Sequence, residues 1–312
     1  MTLFIQRDDN PEIPPPYKFP GINIMSFRLQ ADLGKLQGLC DDLLNIGSLA
    51  DRGFVYWAFT DFVDMEIVTY PKMMFDEPPY SSWGYASQQE LYFRFYVWKL
   101  NMFGGLLFPD PLPELFFPFI YVDNSWSMVS GRNVIGFPKV MAQFTPTPVL
   151  GANPFKIKVS ALALDTYSPA TELKWHPIVE INPTNALAPQ PVDGLWPWVG
   201  LTADAADPII EEALAIFLSA LPNAFQTVQL KQFRDLPTGA CFQAVVNTPF
   251  APYNIGSVKP LPAVSITVNE YDSLKIPTSL GLQANTPLQP LLQYSVSLDM
   301  RMDNGSNLFV NG

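Results

Sequence analysis

Thirty-two prolines in a chain of 312 residues leave little room for long helices. Proline lacks a backbone N–H and its ring clashes with the preceding turn, so it is excluded from helix interiors and from central ladder positions. The prolines cluster at 11–16, 109–118, 145–154 and around 178–198. These stretches are expected to be loops and sheet edges. No cluster cuts the sequence in two, and one domain spanning 1–312 is expected.

Between the prolines lie short runs rich in β-branched and aromatic residues: LYFRFYVW, FPFIYV, KIKVSALAL, TVQLKQF, CFQAVVN, AVSITVNEY and LQYSVSLDM. Such runs favour strands. In AVSITVNEY, Val264, Ile266 and Val268 share one face and Ser265 and Thr267 the other, the two-residue period of a half-buried strand. Helix signals are fewer. Leu33, Leu36, Cys40, Leu43 and Leu44 recur at helical spacing. DPIIEEALAIFLSALP has a capping Asp207, Pro208 in the first turn and early acids at Glu211 and Glu212. NSWSMVSGR reads as a short helix, capped by Asp123 or Asn124 and ending near Gly131. The fold class is therefore α+β and mainly antiparallel β, a barrel or sandwich with few helices.

A net charge of −11 argues against nucleic acid and against anionic lipid as partners. No run of about 18 apolar residues suggests a membrane span, and the N-terminus has no basic start followed by an apolar run. Cys40 and Cys241 are too few for a disulfide framework. A soluble, cytoplasmic protein is expected.

GRNVIGFPKV carries Lys139, the only lysine between Lys99 and Lys156. Between residues 101 and 155 the only other basic residue is Arg132. If this apolar segment is internal, desolvation disfavours the ammonium and lowers the lysine pKa. A neutral amine can attack a carbonyl and form an iminium, which serves as an electron sink. The alternative is a solvated lysine following a turn. The lone His176 lacks the partners of a triad or a metal site, and no phosphate loop occurs. No metal is expected.

YVDNSWSMVSGRNVIGFPKVMA resembles the signature of the acetoacetate decarboxylase family: Asp123-Asn124, Gly131-Arg132 and Phe137-Pro138-Lys139 stand at the family's spacing. PYKF with ADLGKLQGLCDDL, WGYASQQELYFRFYVW and LPAVSITVNEYDSLKIPTSLGL are similar to other parts of that family, and residues around 166–225 are expected as a proline-rich insertion. The resemblance implies a closed, barrel-like or cone-shaped β-structure with peripheral helices and an apolar cavity. It implies a homo-oligomer, Lys139 as Schiff-base lysine and Glu90 as the acid beside it. Glu66 is a further acid for the same region. Arg132 and Phe137 are expected to support the loop or the substrate, and Arg28 resembles a strand-end arginine of the family. The implied activity is that of a lyase on a small keto acid, decarboxylase-like, needing no cofactor beyond the lysine.

Two positions depart from that pattern. Val140 follows Lys139 where a second lysine would help to lower its pKa, and Ile22 or Asn23 stands where the decarboxylases have an arginine. These departures point away from acetoacetate itself. They leave open an aldolase, dehydratase or cyclase working on pyruvate-like compounds, or a binding protein that kept the cavity without the chemistry.

Overall fold

The computed structural model describes residues 4–5, 12–149, 155–185, 226–235, 239–256 and 258–311. The helix expected over DPIIEEALAIFLSALP lies outside them. The first half of the chain forms β1 (Tyr17–Gln30), β2 (Phe54–Ala58), β3 (Phe62–Phe75), β4 (Tyr85–Phe103), β5 (Leu106–Pro109), β6 (Glu114–Val122) and β7 (Lys139–Thr145). The rest adds β8 (Ile157–Ala163), β9 (Lys174–Pro183), β10 (Gln226–Asp235), β11 (Gly239–Tyr253), β12 (Lys259–Pro260), β13 (Val264–Val268), β14 (Pro287–Leu288), β15 (Leu292–Met302) and β16 (Ser306–Val310). The helices are short: α1 (Leu33–Leu43), α2 (Leu49–Arg52), α3 (Ser125–Ser130) and α4 (Ile276–Leu280). None among the described residues is long and apolar enough to cross a membrane.

Among the described residues all but two of the strand pairings are antiparallel; β6 runs parallel to both β7 and β10. Because β6 also pairs with β4, the path β6–β10–β11–β15–β1–β3–β4 returns to β6. From β7 the sheet continues through β8, β9 and β13. β9 falls within the stretch expected as an insertion, and it is paired on both sides, with β8 and β13.

Prolines do not only mark loops and edges here. Pro20, Pro71 and Pro118 sit inside long strands, each at a step where the register shifts: Phe19 to Ile22, Tyr70 to Met73, and opposite Phe93 to Phe95. At a bulge the ladder is already interrupted, so the missing N–H costs no bond, and the strand bends. Residues beside all three bends (Phe19 and Ile22, Tyr70 and Met73, Arg94 and Phe117) line one internal cavity.

Strand alternation separates two apolar clusters. Met65 and Ile67 of β3, and Leu91, Phe93 and Phe95 of β4, face one way with Phe27. There they meet Leu36 and Cys40 of α1. Each fully buried side chain of this size contributes about 1.5–3 kcal/mol. Val68, Tyr70, Tyr92 and Tyr96 face the other way, with Ile22, Ile24 and Phe137. α1 starts where its sequence directs, with Asp32 accepting from Lys35 N at 2.9 Å. Leu36, Cys40 and Leu44 are buried, whereas Leu33, expected on the same face, is exposed at the first turn. Both cysteines are free thiols, Cys40 buried and Cys241 exposed. In β13, Val264, Ile266 and Val268 are buried together.

Glu114, at the start of β6, accepts from the Tyr56 hydroxyl at 3.0 Å. Burial pushes its pKa from the ordinary 4.5 up to about 7, against the opposing pull of Tyr56 and Lys99. Between those two values the folded chain holds a proton that the unfolded chain has released. Stability from this group is thus full below pH 4.5 and is lost as pH rises through 7, a difference of about 3 kcal/mol. Glu114→Gln should keep the Tyr56 bond and remove that slope. Urea denaturation should therefore show the variant gaining on the parent as pH rises from about 4.5 to about 8; a constant difference across that range would show that Glu114 stays ionised.

Candidate active site

The connection from β6 to β7 places Lys139 by a chain of local devices. Asn124 caps α3, its Oδ1 accepting from Ser127 N at 3.1 Å. Its Nδ2 donates to Ser87 O at 3.1 Å, and Asp123 Oδ1 accepts from Gln89 N at 2.7 Å. The Asp-Asn pair therefore ties the helix start to β4 just before Glu90. α3 runs into a π-helical turn over Gly131–Ile135. Gly136, at φ +94°, reverses the chain close against the Lys231 backbone, where a Cβ would come within 2.8 Å of the Lys231 Cβ. Phe137 and Pro138 follow, and Lys139 is the first residue of β7, opposite Ile120.

Gly131 has another role. Its backbone is ordinary right-handed helix, φ −61° and ψ −44°. A Cβ there would stand 2.6 Å from Lys139 Cδ and 2.8 Å from Cε. The glycine is required by the lysine stem that passes over it, not by backbone strain. Arg132 is exposed and donates from Nη1 to Lys139 O at 3.4 Å, outside the cavity.

Lys139 is buried, at 7% exposure. Its Nζ donates to Glu90 Oε1, and to Ser127 Oγ at 2.8 Å. Gln88 Nε2 donates to the same Glu90 oxygen at 3.1 Å, and the Tyr70 hydroxyl also hydrogen-bonds Glu90. Burial first, then the charges of Glu90 and Glu66, hold the Tyr70 pKa well above its usual value, so it remains a donor. Phe137 is buried, its ring centroid 5.9 Å from Nζ and 5.8 Å from the Phe117 ring.

A second buried pair stands beside the first. Glu66 accepts from Arg94 Nη2 at 2.7 Å, the Tyr92 hydroxyl at 2.5 Å and Ser26 Oγ at 3.1 Å. Burial opposes the charge on Arg94, but Glu66, with Tyr96 and Asp64, more than offsets it and holds its pKa well above the usual value. Asp64 lies 3.4 Å from Arg94 Nη2 and takes a two-pronged contact from Arg28, at 2.8 and 3.1 Å. Arg28 also stacks 3.9 Å over Phe62 and does not line the cavity.

The sequence-derived candidates thus divide. Lys139, Glu90, Glu66 and Phe137 share the cavity wall; Arg132 and Arg28 lie outside it, holding the loop backbone and Asp64 respectively. Ser127, Arg94, Gln88, Tyr70 and Tyr92 were not singled out from sequence. One signal was present: Glu90, Tyr92 and Arg94 have the same parity in an alternating strand, so an arginine among phenylalanines had to point the way Glu90 points. The cavity leaves about 70 Å³ open to the centres of water molecules, room for several waters or a small organic molecule. Its remaining wall is mainly apolar, with Ile24, Met73, Leu298 and Met300. No cluster of three or more His, Cys, Asp or Glu that could hold a metal ion occurs among the described residues.

Removing one member of a buried ion pair strands the other, at about 3–5 kcal/mol. Lys139→Met should cost about that much in urea denaturation, and adding Glu90→Gln should return a large part of it. Costs of the two substitutions that simply add would mean the pair is not coupled.

A sequence model of the acetoacetate decarboxylase family matches residues 1–159. Among solved structures, an acetoacetate decarboxylase from Legionella pneumophila superposes with a TM-score of 0.56 at 13% identity, covering 98% of this chain and 92% of that one. The enduracididine biosynthesis enzyme MppR, complexed with pyruvate, superposes at 0.51 and 13% identity, covering 95% and 91%. An acetoacetate decarboxylase-like enzyme from Sphingomonas wittichii RW1 superposes at 0.52 and 12% identity, covering 93% and 91%. These likenesses show a shared fold. No curated protein sequence matches the chain.

Proposed function

The chain belongs to the acetoacetate decarboxylase family, and from that premise we propose that it is a Schiff-base lyase in which Lys139 condenses with the carbonyl of a small oxo compound. The observation that carries this reading is the buried Lys139 amine held between Glu90 and Ser127 on the wall of a mainly apolar cavity. The ring of pairings through β6, β10, β11, β15, β1, β3 and β4 is read as a closed barrel-like cone, and the cavity as its interior. Glu90 can take the proton that leaves the amine and return it to the carbinolamine oxygen. The iminium then accepts an electron pair from a neighbouring bond, which gives decarboxylation of a keto acid or, with pyruvate-like compounds, aldol, dehydration or cyclisation chemistry. Keto acids are the class implied by the family and by the pyruvate held in MppR. The geometry itself supports the carbonyl end of that proposal. The electron sink is the lysine, so no organic cofactor is invoked. A homo-oligomer is proposed on the family resemblance alone.

Borohydride added with an oxo compound should reduce the iminium and leave a mass adduct on the Lys139 peptide. Lys139→Ala should give none, and Glu90→Gln should slow adduct formation about 100-fold. If a broad panel of ketones, aldehydes and keto acids leaves that peptide unmodified, the proposal fails and a cavity for binding alone is favoured.

Gly131→Ala gives a sharper check, since alanine suits the helical backbone at that position and the three atoms nearest its Cβ all belong to the lysine stem. It should leave the melting temperature within a few degrees and still slow trapping by about tenfold or more. Trapping at the parent rate would show that the stem is not confined as described.

A further inference from the structure

Among the described residues five hydroxyl groups line the cavity, on Tyr17, Tyr70, Tyr92, Ser127 and Thr227. Four of them give their proton to the protein itself: Tyr17 to Ile13 O, Thr227 to Thr248 O, Tyr92 to Glu66 and Tyr70 to Glu90. Ser127 instead accepts, its Oγ taking a hydrogen bond from Lys139 Nζ at 2.8 Å. An ammonium is a donor only, so the serine keeps its own proton for another acceptor. No described residue supplies one, and the space onto which this buried side chain opens is the cavity.

The placement follows from α3. Ser127 and Gly131 stand four residues apart, hence on one face of the turn. The Lys139 stem crosses Gly131, and its tip reaches Ser127. The Asn124 cap holds Ser127 through its backbone N–H. Amine and hydroxyl are thus fixed side by side at the cavity wall.

The chemistry of condensation needs such a neighbour. Once Glu90 has taken one proton, the nitrogen lone pair bonds to the carbonyl carbon and the π pair moves to oxygen. The product has a positive nitrogen and a negative oxygen on the same carbon. A proton must pass from that nitrogen to that oxygen, and direct transfer closes a strained four-membered ring. Glu90 already holds the first proton. A hydroxyl that accepts from the nitrogen and donates to the oxygen joins the two through a six-membered ring.

Resting on the Schiff-base reading above, we propose that Ser127 is a further catalytic residue, the proton relay between Lys139 Nζ and the oxygen of the bound carbonyl compound. Its Oγ takes a proton from nitrogen as it passes its own to oxygen. The serine ends unchanged and never has to hold an extra proton, so its weakness as a base is no obstacle. Glu90 then delivers its proton to the carbinolamine hydroxyl, water leaves, and the nitrogen lone pair closes the iminium. Ammonium and carbonyl go in; iminium and water come out. The relay touches only nitrogen and oxygen, so it serves keto acids and simple ketones alike.

The test follows adduct formation on the Lys139 peptide of the full-length protein with pyruvate and with acetone. Cyanoborohydride is raised until the rate no longer depends on it, so that iminium formation is limiting. Alkylation of the same lysine by acrylonitrile is the comparison: it uses the same lone pair but attacks a carbon that bears no oxygen. Alanine suits the helical position, and Ser127→Ala should slow both condensations about 100-fold while leaving alkylation within about threefold. The loss should persist at the pH where the parent rate has levelled off, since it does not come from how much amine is unprotonated. Equal losses in condensation and alkylation would mean that the serine only holds the amine. A loss confined to lower pH would mean that it only tunes the amine's protonation, and unchanged condensation would mean that no proton passes through it. Each of these overturns the relay and leaves the Schiff base standing. Absence of any adduct on the parent with either carbonyl compound would instead overturn Lys139 as the nucleophile, and this proposal with it.

Discussion

The ion pair between Lys139 Nζ and Glu90 Oε1, inside a cavity wall, is the contact on which the rest of the site depends. Buried ion pairs are inefficient as structural glue: desolvation offsets most of their attraction, and apolar residues of similar volume would hold a core at least as well. Here six ionic side chains are buried in one connected region. Four of them, Lys139, Glu90, Arg94 and Glu66, face the cavity, and Asp64 and Arg28 stand behind Arg94. The arrangement also fixes the surroundings, because withdrawing any of the six removes a counter-charge from a buried neighbour.

The main chain is shaped around that demand. β1, β3 and β4 contain 14, 14 and 19 residues, long enough for twist and bending to matter. Their alternation puts Glu66, Glu90 and Arg94 on one face, and the three proline-marked bends open that face into a concave wall. The parallel step from β6 to β7 then brings a lysine to the wall from outside these three strands. Gly131 is part of the same solution: one methyl group at that Cα would occupy the path of the Lys139 stem.

Much of this was legible in the sequence, and the reasons differ by element. Strand runs and α1 were visible from periodicity, since a half-buried surface writes its burial into every second or every third to fourth residue. Lys139 stood out because a lone ammonium in an apolar segment demands a reason. The bulges at Pro20, Pro71 and Pro118 were not foreseen, because a register shift depends on the opposing strand and leaves no local signature. Ser127 was hidden for a related reason: it reaches Nζ only because α3 and β7 fold back on each other across 12 residues. The charge balance was the hardest to see. Arg28, Asp64, Glu66, Glu90, Arg94 and Lys139 are scattered over more than 100 residues, and only strand register brings them to a common centre.

That register also determines which groups can move protons in the proposed condensation. Tyr70 and Tyr92 are kept as phenols by burial and by the adjacent carboxylates, so they can donate hydrogen bonds but not collect a proton. Arg94 is held as a cation by Glu66, Tyr96 and Asp64, despite its burial. Glu66 already accepts from Arg94, Tyr92 and Ser26 and does not touch Nζ. Among the groups touching Nζ, Ser127 is an alcohol and a poor base, which leaves Glu90 as the proton carrier. The amine must lose a proton before it can attack, and the carbinolamine oxygen must gain protons before it can leave. One carboxylate hydrogen-bonded to the amine can serve both steps in turn. The pairing that makes the lysine tolerable in an apolar wall is then the same pairing that can release its lone pair.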